Sequence, residues 1–321
     1  MRRRNFIAFL GGAAAAWPFA ARAQQSAMPV IGFLIVRARA TSGHLVTAFQ
    51  QGLRETGYVE GHNVAIEYRF AEGHPDRLPA LAAGLIESKV AAMAVGPLAD
   101  LAAKAATTTI PIVFMTGVDP VKTGLVASLN RPGGNLTGTT MLAPDLEAKR
   151  IGLLHELVPG ATTISVLIPA GVSTRAFVEQ EVQTAGRNIG VAVRIVAVDS
   201  ERDFDAAFAN IARERTGALM VAASLYFNDF RERLAALAVQ AIFEIREFVE
   251  AGGLMSYAPR VTDAYHQVGV YVGRILNGEK PANLPVVLPS RFEFLINLKT
   301  AKALHLEIPP MLLARADEVI E

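Results

Sequence analysis

The stretch VFMTGVDPVKTGLVASLNRPGGNLTG, Val113 to Gly138, sets a lone carboxylate, Asp119, on a turn after a strongly apolar segment. Two chemistries suit it. An Asp-Pro pair closes a turn, because the Asp side chain bonds its own local backbone and Pro fixes φ. A carboxylate at a strand end can also receive an ammonium through a charge-assisted hydrogen bond, roughly twice as strong as a neutral one. The two roles are compatible.

Other strand ends supply further candidates. Thr116 stands just before the same turn. Thr41 and Ser42, at a helix start, can hold a carboxylate with backbone N–H groups and the positive helix end, while an ordinary N-cap also explains Ser42. Gly96, before Pro97, either lets the backbone approach a ligand closely or turns a strand into a helix. Ser224, Tyr226 and Asn228 follow the apolar run ALMVAA, and Asn228 suits a helix cap as well. Tyr257, in GGLMSYAP, offers a ring to stack on a ligand or to fill a hinge. Ser42, Gly96, Thr116, Asp119, Ser224, Tyr226, Asn228 and Tyr257 form the candidate ligand-binding set.

Catalytic and cofactor chemistries lack their residues. A dinucleotide enzyme needs G-x-G-x-x-G directly after a strand, but Val36 is followed by RARATSGH. No phosphate-cradling loop with Lys and Ser occurs. His44, His62, His74, His155, His266 and His305 show no metal-ligand spacing, and Ser173, Ser224 and Ser256 lack the G-x-S-x-G elbow. The chain has no cysteine, which excludes disulfides, thiolate metal sites and a lipid anchor on an N-terminal Cys. The expectation is a protein that is not an enzyme and needs no cofactor or metal.

The elements that position the candidates alternate. VIGFLIV (Val30 to Val36) precedes a segment with Leu45, Phe49 and Leu53 at four-residue steps, ended by Gly57: one βα unit. VAIEYRF, a helix through Leu78, Leu81 and Leu85, VAAMAVG, a helix through Leu101 and IPIVFMTG continue the rhythm. Near-continuous apolar strands imply a sheet covered on both faces. The loop NRPGGNLTG interrupts, and a second series follows through ISVLIP, VAVRIVAV, ALMVAAS and AIFEI. The spacing predicts an α/β fold of two lobes joined at a hinge. Ligands of such sheets sit outside the carboxyl ends of the strands.

The N-terminus MRRRNFIAFLGGAAAAWPFAARAQQ combines arginines, a short apolar run and Ala21-Arg22-Ala23, the pattern of a cleavable export signal over residues 1–23. Arg3-Arg4-Asn5-Phe6-Ile7 is similar to the twin-arginine motif. Removing that leader takes four of 31 basic residues and no acid, leaving 27 against 30 acidic residues. A net charge of −3 gives a nucleic-acid partner no support. The mature chain is expected in the periplasm, without membrane insertion.

Four stretches carry a resemblance: GLRETGYVEGHNVAIEYRFAEGHPDRLPALAAGLI, IPIVFMTGVDPVKTGLVASLNRPGGNLTG, REFVEAGGLMSYAP and INLKTAKALHLEIPPMLLARADEVIE. Together they resemble the exported solute-binding proteins of ATP-driven (ABC) importers, a family that includes aromatic amino-acid binders and is built on the type I periplasmic binding fold, two Rossmann-like lobes with a hinge and an interlobe cleft. The resemblance implies capture of a small organic ligand, an amino acid or aromatic acid, and delivery to a membrane permease. A ligand sensor regulating a membrane receptor would use the same cleft. The expected lobes are residues 28–138 with about 255–283, and 139–254 with about 284–321. Departures from the family pattern are the short AVQA before Ile242 and the loop LIPAGVST. N-terminal sequencing of the exported protein is expected to start at or near Gln24, and retention of Met1 in exported material would refute the leader.

Overall fold

The computed structural model describes residues 28–143, 145–171, 175–214, 216–237 and 240–321. The leader 1–23, the end of the LIPAGVST loop and the apparent deletion at 238–239 lie outside the described residues.

β1 (Val30–Ile35) turns Ile31, Phe33 and Ile35 into one apolar layer and Leu34 into the other. Both faces are covered, which is why the strand is apolar throughout. α1 (Gly43–Glu55) follows it and buries Leu45, Phe49 and Leu53, the face its four-residue spacing predicts. β2 (Ala65–Phe70), α2 (Leu78–Glu87), β3 (Ala92–Val95), α3 (Ala99–Ala106), β4 (Ile112–Thr116) and β5 (Leu136–Thr140) complete the first lobe's series. Its five strands run parallel in the order β2-β1-β3-β4-β5.

The second lobe repeats the scheme. α4 (Leu146–Leu157), β6 (Thr163–Pro169), α5 (Arg175–Ile189), β7 (Ala192–Val198), α6 (Phe204–Arg213), β8 (Ala218–Val221), α7 (Leu225–Asp229), α8 (Arg231–Leu237), β9 (Ala241–Phe243), α9 (Arg246–Glu250) and β10 (Met255–Pro259) follow in chain order. Ile164, Val166 and Ile168 face α4 and α5, while Leu167 faces the layer of Phe204 and Phe227.

Three crossings join the lobes. The first runs from β5 to α4. The second leads from β10 into α10 (Val261–Leu276), which returns to the first lobe and packs Tyr265, Val268 and Val272 with Phe33 and Phe49. The third precedes β11 (Phe292–Asn297), which pairs antiparallel with β10 and is followed by α11 (Leu298–Ala303), α12 (Pro310–Leu313) and β12 (Glu318–Ile320). The second sheet therefore reads β12-β11-β10-β9-β8-β6-β7.

Two segments lie elsewhere than the expected boundaries. Met255–Pro259 pairs with β9 and β11 and buries Met255 in the second lobe's core, so it is a strand of that sheet. Leu284 to Val287 stays with the first lobe: Leu284 is buried in its core, and the Val287 N–H donates to the Gly138 carbonyl at 2.9 Å. The late crossings thus fall at Arg260 and beyond Val287. Within VVLPSRFEFLINL the strand itself begins only at Phe292, after Pro289.

α1 and α10 cross with their backbones nearly touching. A methyl group on Gly52 would overlap the His266 carbonyl, and one on Gly269 the Phe49 carbonyl. Gly269→Ala should lower unfolding free energy by about 1–3 kcal/mol, the cost of overpacking a filled contact, read as a lower urea midpoint. An unchanged midpoint would show that the crossing relaxes freely.

Candidate ligand-binding cleft

The carboxyl ends of the parallel strands in both sheets carry the loops where a ligand of such a fold binds, and these loops meet across the gap. Arg37, two residues past β1, donates Nη2 to Glu247 Oε1 on α9 at 3.2 Å. Lys122 Nζ lies 5.8 Å from the centre of the Phe177 ring on α5. Leu225, at the start of α7, packs against the first lobe's apolar layer. The lobes are in contact.

In the first lobe, Ser42 is fully buried and its Oγ donates to the Ala38 carbonyl at 2.7 Å, so it ties the β1–α1 loop rather than capping α1. Thr41 beside it is exposed. Gly96 is required by crowding, since an added methyl would come within 2.7 Å of the Tyr265 hydroxyl oxygen. Two residues on, Leu98 holds φ 68°, the left-handed region that disfavours a branched side chain. Such strain concentrates at ligand clamps and active sites. Thr116 is buried and donates to Asp100, whose carboxyl also accepts the Leu101 N–H at 2.8 Å. Burial pushes the Asp100 carboxyl above its ordinary range, against those hydrogen bonds.

Asp119 performs the turn role in full. Its Oδ1 accepts the N–H groups of Val121 at 2.9 Å and Lys122 at 3.1 Å, and Lys122 Nζ stands 3.9 Å from Oδ2.

In the second lobe, Ser224 caps α7, its Oγ accepting the Tyr226 N–H at 3.2 Å. Its own N–H donates to Glu244 Oε1 at 3.1 Å. Tyr226 sits among Phe204, Phe227 and Phe230, with ring centres 5.1–6.3 Å apart. Asn228 lies within α7, past the cap position, and its Oδ1 is buried without a partner among the described residues. Tyr257 stacks on Phe292 at 5.7 Å, and its carbonyl accepts Arg150 Nε at 2.9 Å. The structure joins Ser224 to Glu244 and Thr116 to Asp100.

Sequence reasoning passed over the ionic groups beneath these loops. Arg150 is 1% exposed and donates Nη1 to both Glu147 oxygens at 3.1 Å and Nη2 to the Glu244 carbonyl at 3.3 Å. Glu244 is buried, and burial pushes its carboxyl up to about 7. Glu147 and Arg150 at i, i+3 were the only sequence signal. Beside the Arg37–Glu247 pair lie two cavities. One, of about 500 Å³, is lined by His44, Glu247, Arg260 and Glu293, the other, of about 530 Å³, by Arg37, Thr41, His44 and Glu232. None of the eight candidate residues lines either one. Burial pushes the His44 imidazole down, against the pull of Glu247.

Two α/β lobes crossed three times by the chain, with strand ends facing a cleft, define a two-lobed binding protein of the type I periplasmic class. Residues 37–320 match the family described as ABC transporter substrate binding protein, and the chain belongs to that family. A curated tyrosine-binding protein of Clostridioides difficile is 34% identical over 121 residues, 37% of this chain and 34% of its own. The match thus spans about a third of that relative's length. Among solved structures, a conserved domain protein from Vibrio cholerae is 24% identical with TM-score 0.81, covering 91% of this chain and 99% of its own. A domain from Streptococcus pneumonia in complex with L-Trp gives 24% and 0.80 over the same shares. A ligand-free, open substrate-binding protein with adhesive properties from Clostridium difficile gives 22% and 0.73, again covering 91% and 99%.

Arg150→Ala strands the Glu147 carboxylate in the second lobe. It should cost about 3–5 kcal/mol, the penalty for breaking a buried pair from one side, in denaturant unfolding. Arg150→Met with Glu147→Leu should recover most of that loss, and a double variant as unstable as the single would contradict the ion-pair account.

Proposed function

We propose that the protein captures an amino acid, aromatic ones first, between its lobes and presents it to the permease of an ABC importer. Family membership supports the importer role, and the L-Trp complex and the tyrosine-binding relative support the ligand class. The observation that carries the reading is contact across the cleft, with Arg37 on Glu247 and Leu225 on the first lobe. In this reading the ligand is met by the loops of Ser42, Gly96, Thr116 and Asp119 on one side and Ser224, Tyr226 and Asn228 on the other, with Tyr257 near the hinge. Binding alone suffices, because closure is favoured by the contacts a ligand makes only in the closed state. Export by the leader, through the twin-arginine route, belongs to the same reading. Among the described residues no helix is long and apolar enough to cross a membrane.

Native mass spectrometry of protein purified from the periplasm, followed by calorimetry with the twenty amino acids, tests the reading. A co-purifying amino acid that rebinds supports it, while chemical turnover of the bound molecule or binding of none would overturn it. Arg37→Gln or Glu247→Gln should weaken the amino acid's affinity about two- to five-fold, since a partly exposed pair contributes up to about 1 kcal/mol. The double variant should lose no more than either single one.

A further inference from the structure

One acid in the cleft has no cation of its own. Glu244 follows β9 at the carboxyl edge of the second sheet, beside Ser224, and is only 8% exposed. Its Oε1 takes the Ser224 N–H, and among the described residues no protein donor reaches Oε2. Every nearby guanidinium is committed elsewhere. Arg150 spends Nη1 on Glu147, Nε on the Tyr257 carbonyl and Nη2 on the backbone oxygen of Glu244, not on its carboxylate. Arg246 turns to Glu250, Glu293 and Glu318, and Arg37 to Glu247.

A buried carboxylate without a counter-charge is costly unless it stays protonated or a cation arrives. Both Asp119 oxygens have donors or a cation near them, and Asp100 holds Thr116 and the Leu101 N–H, so neither first-lobe acid is short of partners.

Within the proposed binding function, we propose that Glu244 anchors the positive charge of the ligand, a primary ammonium, so that the cleft selects amine-bearing molecules over their deaminated acids. The ammonium meets Oε2 from the cleft while Ser224 keeps Oε1 in place. Remaining charges that face Glu244 are Arg150 and Glu147 from α4 and Glu247 from α9; the two acids oppose its ionisation and the arginine favours it. With its carboxyl near 7 in the free protein, the group is largely protonated below neutrality. An arriving ammonium must then expel that proton.

The test is calorimetry on the exported full chain and on Glu244→Gln, whose amide oxygen still accepts the Ser224 N–H. Titrants are L-tryptophan, L-tyrosine and L-phenylalanine, each paired with its deaminated 3-arylpropionate. The wild type is expected to bind an amino acid and not its deaminated partner, and the variant to bind that amino acid at least about thirty-fold more weakly. Wild-type affinity should fall as pH drops below 7, by up to about tenfold per unit, with a proton released on binding. The variant should show neither effect. Melting temperatures of both proteins confirm that each is folded. Amino-acid binding unchanged in the variant, or deaminated acids bound as tightly as amino acids, would overturn the anchor while leaving the binding function standing. Failure of the wild type to bind either series or any other of the twenty amino acids overturns both.

Discussion

Arg150 is the group on which the cleft's second half depends. Its guanidinium lies inside the lobe and reaches three elements at once: Glu147 on its own helix, the Tyr257 carbonyl on the strand that leads to the hinge, and the Glu244 carbonyl at the end of β9. A desolvated guanidinium is stable only when its donors are satisfied, and here their acceptors are the backbone of two strands and one acid. The two strand ends at the cleft are thereby fixed to each other. β10 runs directly into the crossing at Arg260, so the same contacts tie the binding edge to the hinge.

What closes the cleft is weak by comparison. Arg37 and Glu247 keep side-chain exposures of 20% and 16%, and such pairs contribute little net stability. Leu225 buries part of one side chain against the first lobe. In the proposed reading, contacts of this size do not by themselves decide between an open and a closed state. A ligand's differential affinity can then decide between them. A tight latch would remove that control, since a protein already closed gains nothing from its ligand. Leu98, held at a positive φ beside Gly96, keeps local strain at the mouth of the same gap.

Much of the fold was legible in the sequence, because burial on both faces writes itself as apolar strands and four-residue helical steps. β1 and α1 show this, with Phe33, Leu45, Phe49 and Leu53 all buried. The tail was harder. Met255–Pro259 and Leu284–Val287 are short apolar segments whose lobe is decided by pairing with distant strands, which local pattern does not encode. At the cleft, the turn at Asp119 was readable because Asp-Pro acts locally. Glu244 was not: one acid within AIFEI reads as an ordinary strand end, and its isolation comes from where Arg37, Arg150 and Arg246 point.

The central claim is that two lobes move together over a small molecule. The chain lacks cysteine, so one can be introduced for the exposed Leu101 on the first lobe and another for the exposed Gln180 on the second. Spin labels there allow the interlobe distance to be read by pulsed electron resonance, with and without a saturating amino acid that binds. The account predicts a broad or long distribution in the free protein that collapses to one shorter distance with ligand. Superimposable distributions in the two samples would contradict it.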